Sequence, residues 1–277
     1  MLAHGSVANE HKSIVFTWKQ DEFDQLLDSC KRDEGVQLTL KHLGDKNQKI
    51  LEAGCGLGRV VKYLGDLGYK QVHGIEINSD AVKYLNAIYP ELAIVQGDVL
   101  KLPYEENSFD VVLSYGVIEH FPDGPHAPLN AMYDVLKPGG IALVTVPSFN
   151  TLRKIQYFWE SIDPRKKNRI RKFFGKKPLH RNRKVMSYFV DPQIGQFYEY
   201  RFTKKQFESI CETAGFEIIE SKPIAHLDGL FHSIFRPFIG FKEWRFQVTP
   251  VGNILNKLFS LIPFFHNHMH ACVLRKK

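Results

Sequence analysis

Short apolar runs and helically spaced apolar positions alternate along the middle of the chain. The runs Ile50–Ala53, Lys70–Ile77, Leu92–Gln96, Phe109–Ser114 and Ile141–Val146 have the length of buried strands. Between them, Val60, Val61, Tyr63, Leu64 and Leu67 keep the three-and-four spacing of a helix that Gly68 ends. Ala81–Tyr89 follows a helix cap at Asn78-Ser79-Asp80, and a helix from about Ala127 to Leu136 stops at the turn Lys137-Pro138-Gly139-Gly140. The run 141–146 is apolar on both faces, as a central parallel strand is. Strands alternating with helices predict right-handed crossovers and an α/β, Rossmann-like, doubly wound sheet.

This pattern divides the chain into a core and additions. Residues 1–44 read as an N-terminal helical segment. One or two helices are expected over 14–42 from Phe16, Phe23, Leu26 and Leu27 and from Leu38, Leu40 and Leu43. Phe16 and Trp18 either pack that segment on the sheet or close over a ligand. The core covers 45–150, an insertion follows at 151–200, and 201–277 completes the core around a second insertion at 225–268. There Val251, Ile254, Leu255, Leu258, Phe259 and Ile262 mark an amphipathic helix behind the aromatic-rich stretch Phe231–Phe246. Such a helix packs over a cleft or against a partner, or lies on a membrane surface.

Charge sharpens the picture of the first insertion. The chain carries a formal charge of +7, from 37 Lys and Arg against 30 Asp and Glu. Thirteen of the basic residues fall between Arg153 and Lys184, opposed only by Glu160 and Asp163, so this stretch carries +11 and the remainder −4. The four cysteines are scattered, without a CxxC pair, which suits a reducing compartment and predicts no disulfide. No His, Cys and carboxylate cluster stands at ligand spacing, and no residue is assigned to a metal. Met1–Lys12 is polar without a signal-like apolar core, and no apolar run reaches the ~18 residues of a membrane span. A cytoplasmic protein is expected.

Candidate chemistry begins where the first strand runs into glycines, Glu52-Ala53-Gly54-Cys55-Gly56-Leu57-Gly58-Arg59. Strand, glycine turn and helix present bare backbone to a nucleotide-like ligand. Glu76 ends the second strand, 18 residues after Gly58, where a carboxylate accepts from ribose hydroxyls. Asp98 follows the third strand, placed to accept from an exocyclic amine. Glu52 would repel a pyrophosphate but welcomes a cation, and the glycines alternate instead of following the dinucleotide G-x-G-x-x-G. S-adenosylmethionine, a cationic adenosyl amino acid, satisfies all three carboxylates.

Glu52-x-Gly54-x-Gly56-x-Gly58, Glu76, Gly97-Asp98, Phe109-Asp110-Val111-Val112, Gly116-Val117-x-Glu119-His120 and Leu136-Lys137-Pro138-Gly139-Gly140 together resemble the successive motifs of class I S-adenosylmethionine-dependent methyltransferases. The set is similar to the small-molecule and quinone-type enzymes over about 45–150, resuming at Phe202–Ser221 and the last strand. The resemblance implies a seven-stranded sheet with an antiparallel last strand, Phe216–Glu220 being the sixth strand and Met269–Leu274 the seventh. It implies S-adenosyl-L-methionine as cofactor, S-adenosyl-L-homocysteine as product, and contacts from Glu52, Gly54, Cys55, Gly56, Gly58, Arg59, Glu76, Ile77, Asp98, Val99, Ser114 and Tyr115.

For catalysis, His120 is the candidate base and Tyr115 the candidate orienting group. His120 alternatively only holds its loop. For the acceptor, Arg183 and Arg201, with Tyr188 and Tyr198 between them, are candidates to grip an anion through the basic insertion. A small-molecule or peptide carboxylate, methylated to an ester, is expected, or else a hydroxyl. A lipid or quinone-type acceptor and a nucleic acid are the alternatives, although the Asn/Asp-Pro-Pro-aromatic motif of base methylation is absent; a non-catalytic cofactor binder is a third.

Overall fold

The computed structural model describes residues 23–161 and 197–277 throughout, together with 5–7, 14–16, 169, 172–173 and 188–190. Seven strands form one sheet: β1 (Lys49–Ala53), β2 (Gln71–Glu76), β3 (Ala93–Gln96), β4 (Phe109–Tyr115), β5 (Leu136–Pro147), β6 (Phe216–Ile224) and β7 (Met269–Lys276). Their spatial order is β6-β7-β5-β4-β1-β2-β3. β7 runs antiparallel to both β6 and β5, and the pairs among β1 to β5 are parallel.

Both faces of this sheet are covered, and alternate residues of each strand serve them in turn. Ile50, Val111, Leu113 and Val273 belong to one apolar layer with Phe23, Val36, Leu64 and Leu85. Their neighbours Leu51, Val112, Cys272 and Leu274 belong to the other, with Leu129, Met132, Phe207 and Phe216. The first layer is covered by α1 (Phe23–Ser29), α2 (Glu34–His42), α3 (Arg59–Asp66) and α4 (Ser79–Ile88). The second is covered by α5 (His126–Val135), followed later by α7 (Lys204–Thr213). Strand order reverses between β1 and β4, which opens a crevice at their carboxyl ends.

Two expectations change. Ile14–Phe16, expected in a helix, is a strand paired with Gly5–Val7, consistent with its β-branched and aromatic residues; among the described residues the first helix is Phe23–Ser29. Lys137-Pro138-Gly139-Gly140 is not a turn before the fifth strand but part of β5. Leu136 already pairs with Phe109, and the register shifts between Phe109 and Val111. Gly139, at φ +75°, is the residue that permits this. Trp18 and the side chain of Phe16 lie outside the described residues.

Each addition extends from a strand end. After β5 come α6 (Thr151–Ser161) and an antiparallel pair, Tyr188–Val190 with Phe197–Tyr200. After β6 come α8 (His226–Phe231), the hairpin Ile239–Lys242 with Arg245–Val248, and α9 (Pro250–Ser260). α8 packs so close to the chain before β7 that a Cβ on Gly229 would stand 1.5 Å from the His266 carbonyl oxygen. Among the described residues, no helix is long and apolar enough to cross a membrane.

Candidate active site

The loop after β1 takes its shape from three left-handed glycines, Gly54 (φ +80°), Gly56 (+55°) and Gly58 (+65°). Space demands glycine as well: a Cβ on Gly54 would lie 2.6 Å from Val117 Cγ2, and one on Gly58 2.7 Å from Ile94 Cδ1. The loop is fastened to the end of β2. Gly54 and Cys55 N–H both donate to the Ile75 carbonyl at 2.9 Å. Gly56 N–H donates to Glu76 Oε2, and Asn78 N–H to Glu76 Oε1, each at 2.9 Å. Glu76 is therefore held by backbone from two directions while each oxygen keeps a lone pair for a ligand. Asp98 is set the same way, its Oδ1 accepting from Leu100 N–H at 2.9 Å.

Glu52 lies beneath this loop, only 4% exposed, and its Oε2 has no hydrogen-bond partner among the described residues. Burial pushes its carboxyl up to about 8, against the pull of Arg59. Arg59 opens α3 and reaches across to α2, its Nη2 donating to Asp33 Oδ2 at 2.6 Å. Asp33 in turn caps α2, its Oδ1 accepting from Gly35 and Val36 N–H. On β4, Ser114 is buried with an unpartnered Oγ, and Tyr115 shares a 2.5 Å hydrogen bond with Thr39 Oγ1. Burial raises the Tyr115 phenol well above its ordinary range, so it is neutral.

A cavity of about 660 Å³ opens beside these groups at the ends of β4, β5, β6 and the start of β7, where Tyr115, Thr145, Ile224 and Met269 meet. Arg59, the first residue past the glycine loop, belongs to its wall. The opposite wall is aromatic: Phe241, Trp244 and Phe246 of the hairpin after α8. Its polar groups include His226, whose Nδ1 lies 3.6 Å from Glu34 Oε2. The arginines on the wall already face carboxylates, Arg32 and Arg245 meeting Asp28 and Arg59 meeting Asp33.

Residues 51–144 match the family described as a methyltransferase domain. A probable S-adenosylmethionine-dependent methyltransferase of Mycolicibacterium smegmatis is 27% identical over 200 residues, 72% of this chain and 63% of that protein. A sterol 24-C-methyltransferase of Gibberella zeae is 37% identical over 106 residues, 34% of this chain and 26% of that protein. The crystal structure of an S-adenosylmethionine-dependent methyltransferase from Mesorhizobium loti superposes with a TM-score of 0.55 at 12% identity, over 89% of this chain and all of that one. The core is a class I S-adenosylmethionine-dependent methyltransferase domain. The chain spans less than two thirds of the length of either curated relative.

The methyltransferase domain fits its cofactor. Glu52 offers a bare buried carboxylate oxygen to a cation, Glu76 offers two fixed acceptors to hydroxyls, and the glycines leave backbone uncovered between them. Val99 and Cys55 are buried beside this region, and Cys55 Sγ would lie 2.8 Å from a Cβ on Gly74, so its thiol fills space against β2. Ile77 follows Glu76 at the strand end.

The remaining sequence candidates separate. Tyr115 lines the cavity. His120 sits on a 3-10 turn outside the cavity wall, its Nε2 3.9 Å from Glu119 Oε1. Glu119 is buried, and burial lifts its carboxyl well above the usual range. Arg201 also stands off the wall, its Nε donating to Glu199 at 2.8 Å. Tyr188 and Tyr198 have their backbones in the small antiparallel pair; their side chains, and all of Arg183, lie outside the described residues.

The fold also gathers groups that their sequence separation hides. Asp228 accepts from His232 Nδ1 at 3.0 Å and faces His268 Nδ1 at 3.4 Å, ligand atoms close enough together for a metal ion. Arg153, however, places its Nη2 2.8 Å from His268 Nδ1, putting a cation where an ion would compete. Burial opposes ionisation of Asp228, yet His268 and His232 outweigh it and hold the carboxyl below its usual range. Burial and Arg153 push His268 down to about 3. Asp228 and His226 line the cavity; the aromatic-rich stretch was the one sequence signal pointing there.

Proposed function

We propose that the chain methylates an oxygen of a small amphipathic acceptor, using S-adenosylmethionine. The cavity carries this reading: it adjoins the glycine loop, has an aromatic wall for an apolar body, and sets titratable groups among apolar ones. S-adenosylmethionine supplies an activated methyl group when bound, with Glu52, Glu76 and Asp98 holding it. The chain's own work is then alignment and readiness of the nucleophile. Tyr115, neutral and fixed by Thr39, shapes the cavity beside the cofactor region. His226 accepts the acceptor's hydroxyl proton; Glu34, its Oε2 3.6 Å from Nδ1, orients the ring. The sterol specificity of one relative supports an apolar acceptor body.

A carboxylate acceptor is the second reading, favoured by the +11 charge of the stretch 153–184. It needs no base, and Arg183 and Arg201 would hold it. Incubation with labelled cofactor and fractionated lipids and organic acids identifies the acceptor; His226→Gln, His120→Ala and Arg201→Ala then separate the readings. For a hydroxyl, His226→Gln lowers kcat by about 100-fold or more with little change in KM. Unchanged kcat in His226→Gln together with a raised KM in Arg201→Ala overturns the hydroxyl reading.

A further inference from the structure

α9 is built inside out for a helix that only packs on its own protein. Its inward positions are Gly252, Leu255, Asn256 and Phe259. A Cβ on Gly252 would touch the Phe238 carbonyl, Ile239 and Val248 within 3 Å. Asn256 Oδ1 lies 3.0 Å from His266 Nε2, and the Phe259 ring meets Phe235 and Phe265, each tilted by 54°. These contacts fix which face is out, and that face is aliphatic: Val251, Ile254 and Leu258, continued by Leu261 and Ile262. Leu258 is 55% exposed and Leu261 78%. A soluble helix normally reverses this arrangement.

The end of α9 meets α6. Thr151 and Leu152 N–H donate to the Phe264 and Phe265 carbonyls at 3.0 and 2.8 Å, just past Leu261 and Ile262. Ile155 is exposed on α6 as well. Lys154 beside it and Lys257 on α9 are exposed cations. An aliphatic stripe flanked by cations is the composition of a helix lying in the interface of an anionic bilayer. Protein-binding hot spots favour Trp, Tyr and Arg instead, and this stripe has none.

We propose that this face seats the protein on a lipid bilayer containing anionic phospholipid. The inference deepens the reading of an amphipathic acceptor. The hairpin whose Phe241, Trp244 and Phe246 line the cavity also receives the inner face of α9, through Ile239 and Val248. The bilayer-facing stripe and the cavity wall are thus two sides of one thin layer, and an acceptor held in the bilayer has a short route to the site.

The test is co-sedimentation of the full chain with vesicles of phosphatidylcholine plus phosphatidylglycerol, and of phosphatidylcholine alone, without acceptor or cofactor. Its outcome therefore stands apart from that of the methylation assays. The wild type is expected to sediment with the anionic vesicles, less at high salt. Leu258→Glu with Leu261→Glu lowers the bound fraction at least about tenfold, while S-adenosylhomocysteine binding stays unchanged. Failure of the wild type to sediment, or equal sedimentation of the double variant, overturns the proposal. So does light scattering that finds a wild-type dimer which the variant splits, because the stripe then belongs to a second copy.

Discussion

The seven-stranded sheet and the layer over 225–268 use apolar residues in opposite ways. The sheet buries them on both faces: Leu113, Val112, Val273 and Leu274 have essentially no exposure. The layer buries few, Leu230 and Ile239 among them, and turns Ile234, Val251, Ile254, Leu258, Leu261 and Ile262 outward. It is held together by close backbone approach and polar contacts within it, Gly229 against His266, Asp228 with His232 and Asn256 with His266, and tied to the core by Ala225 N–H on Glu34 and by Thr151 and Leu152 N–H on the Phe264 and Phe265 carbonyls. A sheet stabilised by apolar area tolerates modest changes in shape. A layer stabilised by a few close fits does not, and this contrast is open to attack at single residues.

The largest effect is expected at Gly229. A methyl group there would meet a carbonyl oxygen at 1.5 Å, so α8 and the chain at His266 cannot both stay in place. Gly229→Ala is expected to detach the layer locally, at about 4 kcal/mol or more. Hydrogen exchange should rise across 225–268 while β1 to β5 keep their protection. If the sheet melts together with the layer, the two regions form one cooperative unit and the contrast fails.

Glu52 tests the opposite side of the comparison, a polar group inside the apolar sheet. Its carboxyl stands at about 8 in the folded chain against an ordinary 4.5. Between these values the unfolded chain ionises and the folded chain does not, so stability falls as pH rises through that window and the loss is complete above about 8. At about 1.4 kcal/mol per tenfold change, the upper bound is roughly 5 kcal/mol; water reaching the site from the crevice reduces the expected value to about 2–3 kcal/mol. Glu52→Gln should match the wild type near pH 4 and exceed it near pH 8, by denaturant unfolding at each pH. The same substitution should weaken cofactor binding, because a cation beside Oε2 recovers the ionised form. Parallel stability profiles for the two proteins would show that Glu52 is solvated in a way its burial does not suggest.

The first five strands of the sheet could be read from the sequence because burial on both faces writes apolar runs, whereas the last two were legible only through the family resemblance. The glycines and carboxylates at its edge were legible because positive φ and ligand charge leave few residue types to choose from. The acceptor side was not. Its cavity wall joins Asp33, Tyr115, His226 and Trp244, which are far apart in sequence and carry no common spacing. Asp228, His232 and His268 meet only because β6 and β7 are neighbours in the sheet. Charge drew attention to the stretch 153–184, whereas the described cavity is walled by the aromatic stretch after β6.

The smallest expected effect completes the contrast. Leu258 and Leu261 are leucines on a folded helix, and by residue type alone their replacement with glutamate should be ruinous. Both already turn more than half of their surface to water, so each loses only part of a leucine's buried area, and the double variant is expected to change stability by no more than about 1 kcal/mol, read from the thermal midpoint at equal protein concentration. Leu113, with no exposure, would by contrast cost about 2–5 kcal/mol even as the milder Leu113→Ala. A stability loss near that of Leu113→Ala would mean that the outer stripe of α9 is covered in the folded protein, and the layer would then resemble the sheet after all. A silent double variant leaves apolar side chains that the fold does not need for its own stability. Their retention then has to be explained by what they touch outside the chain.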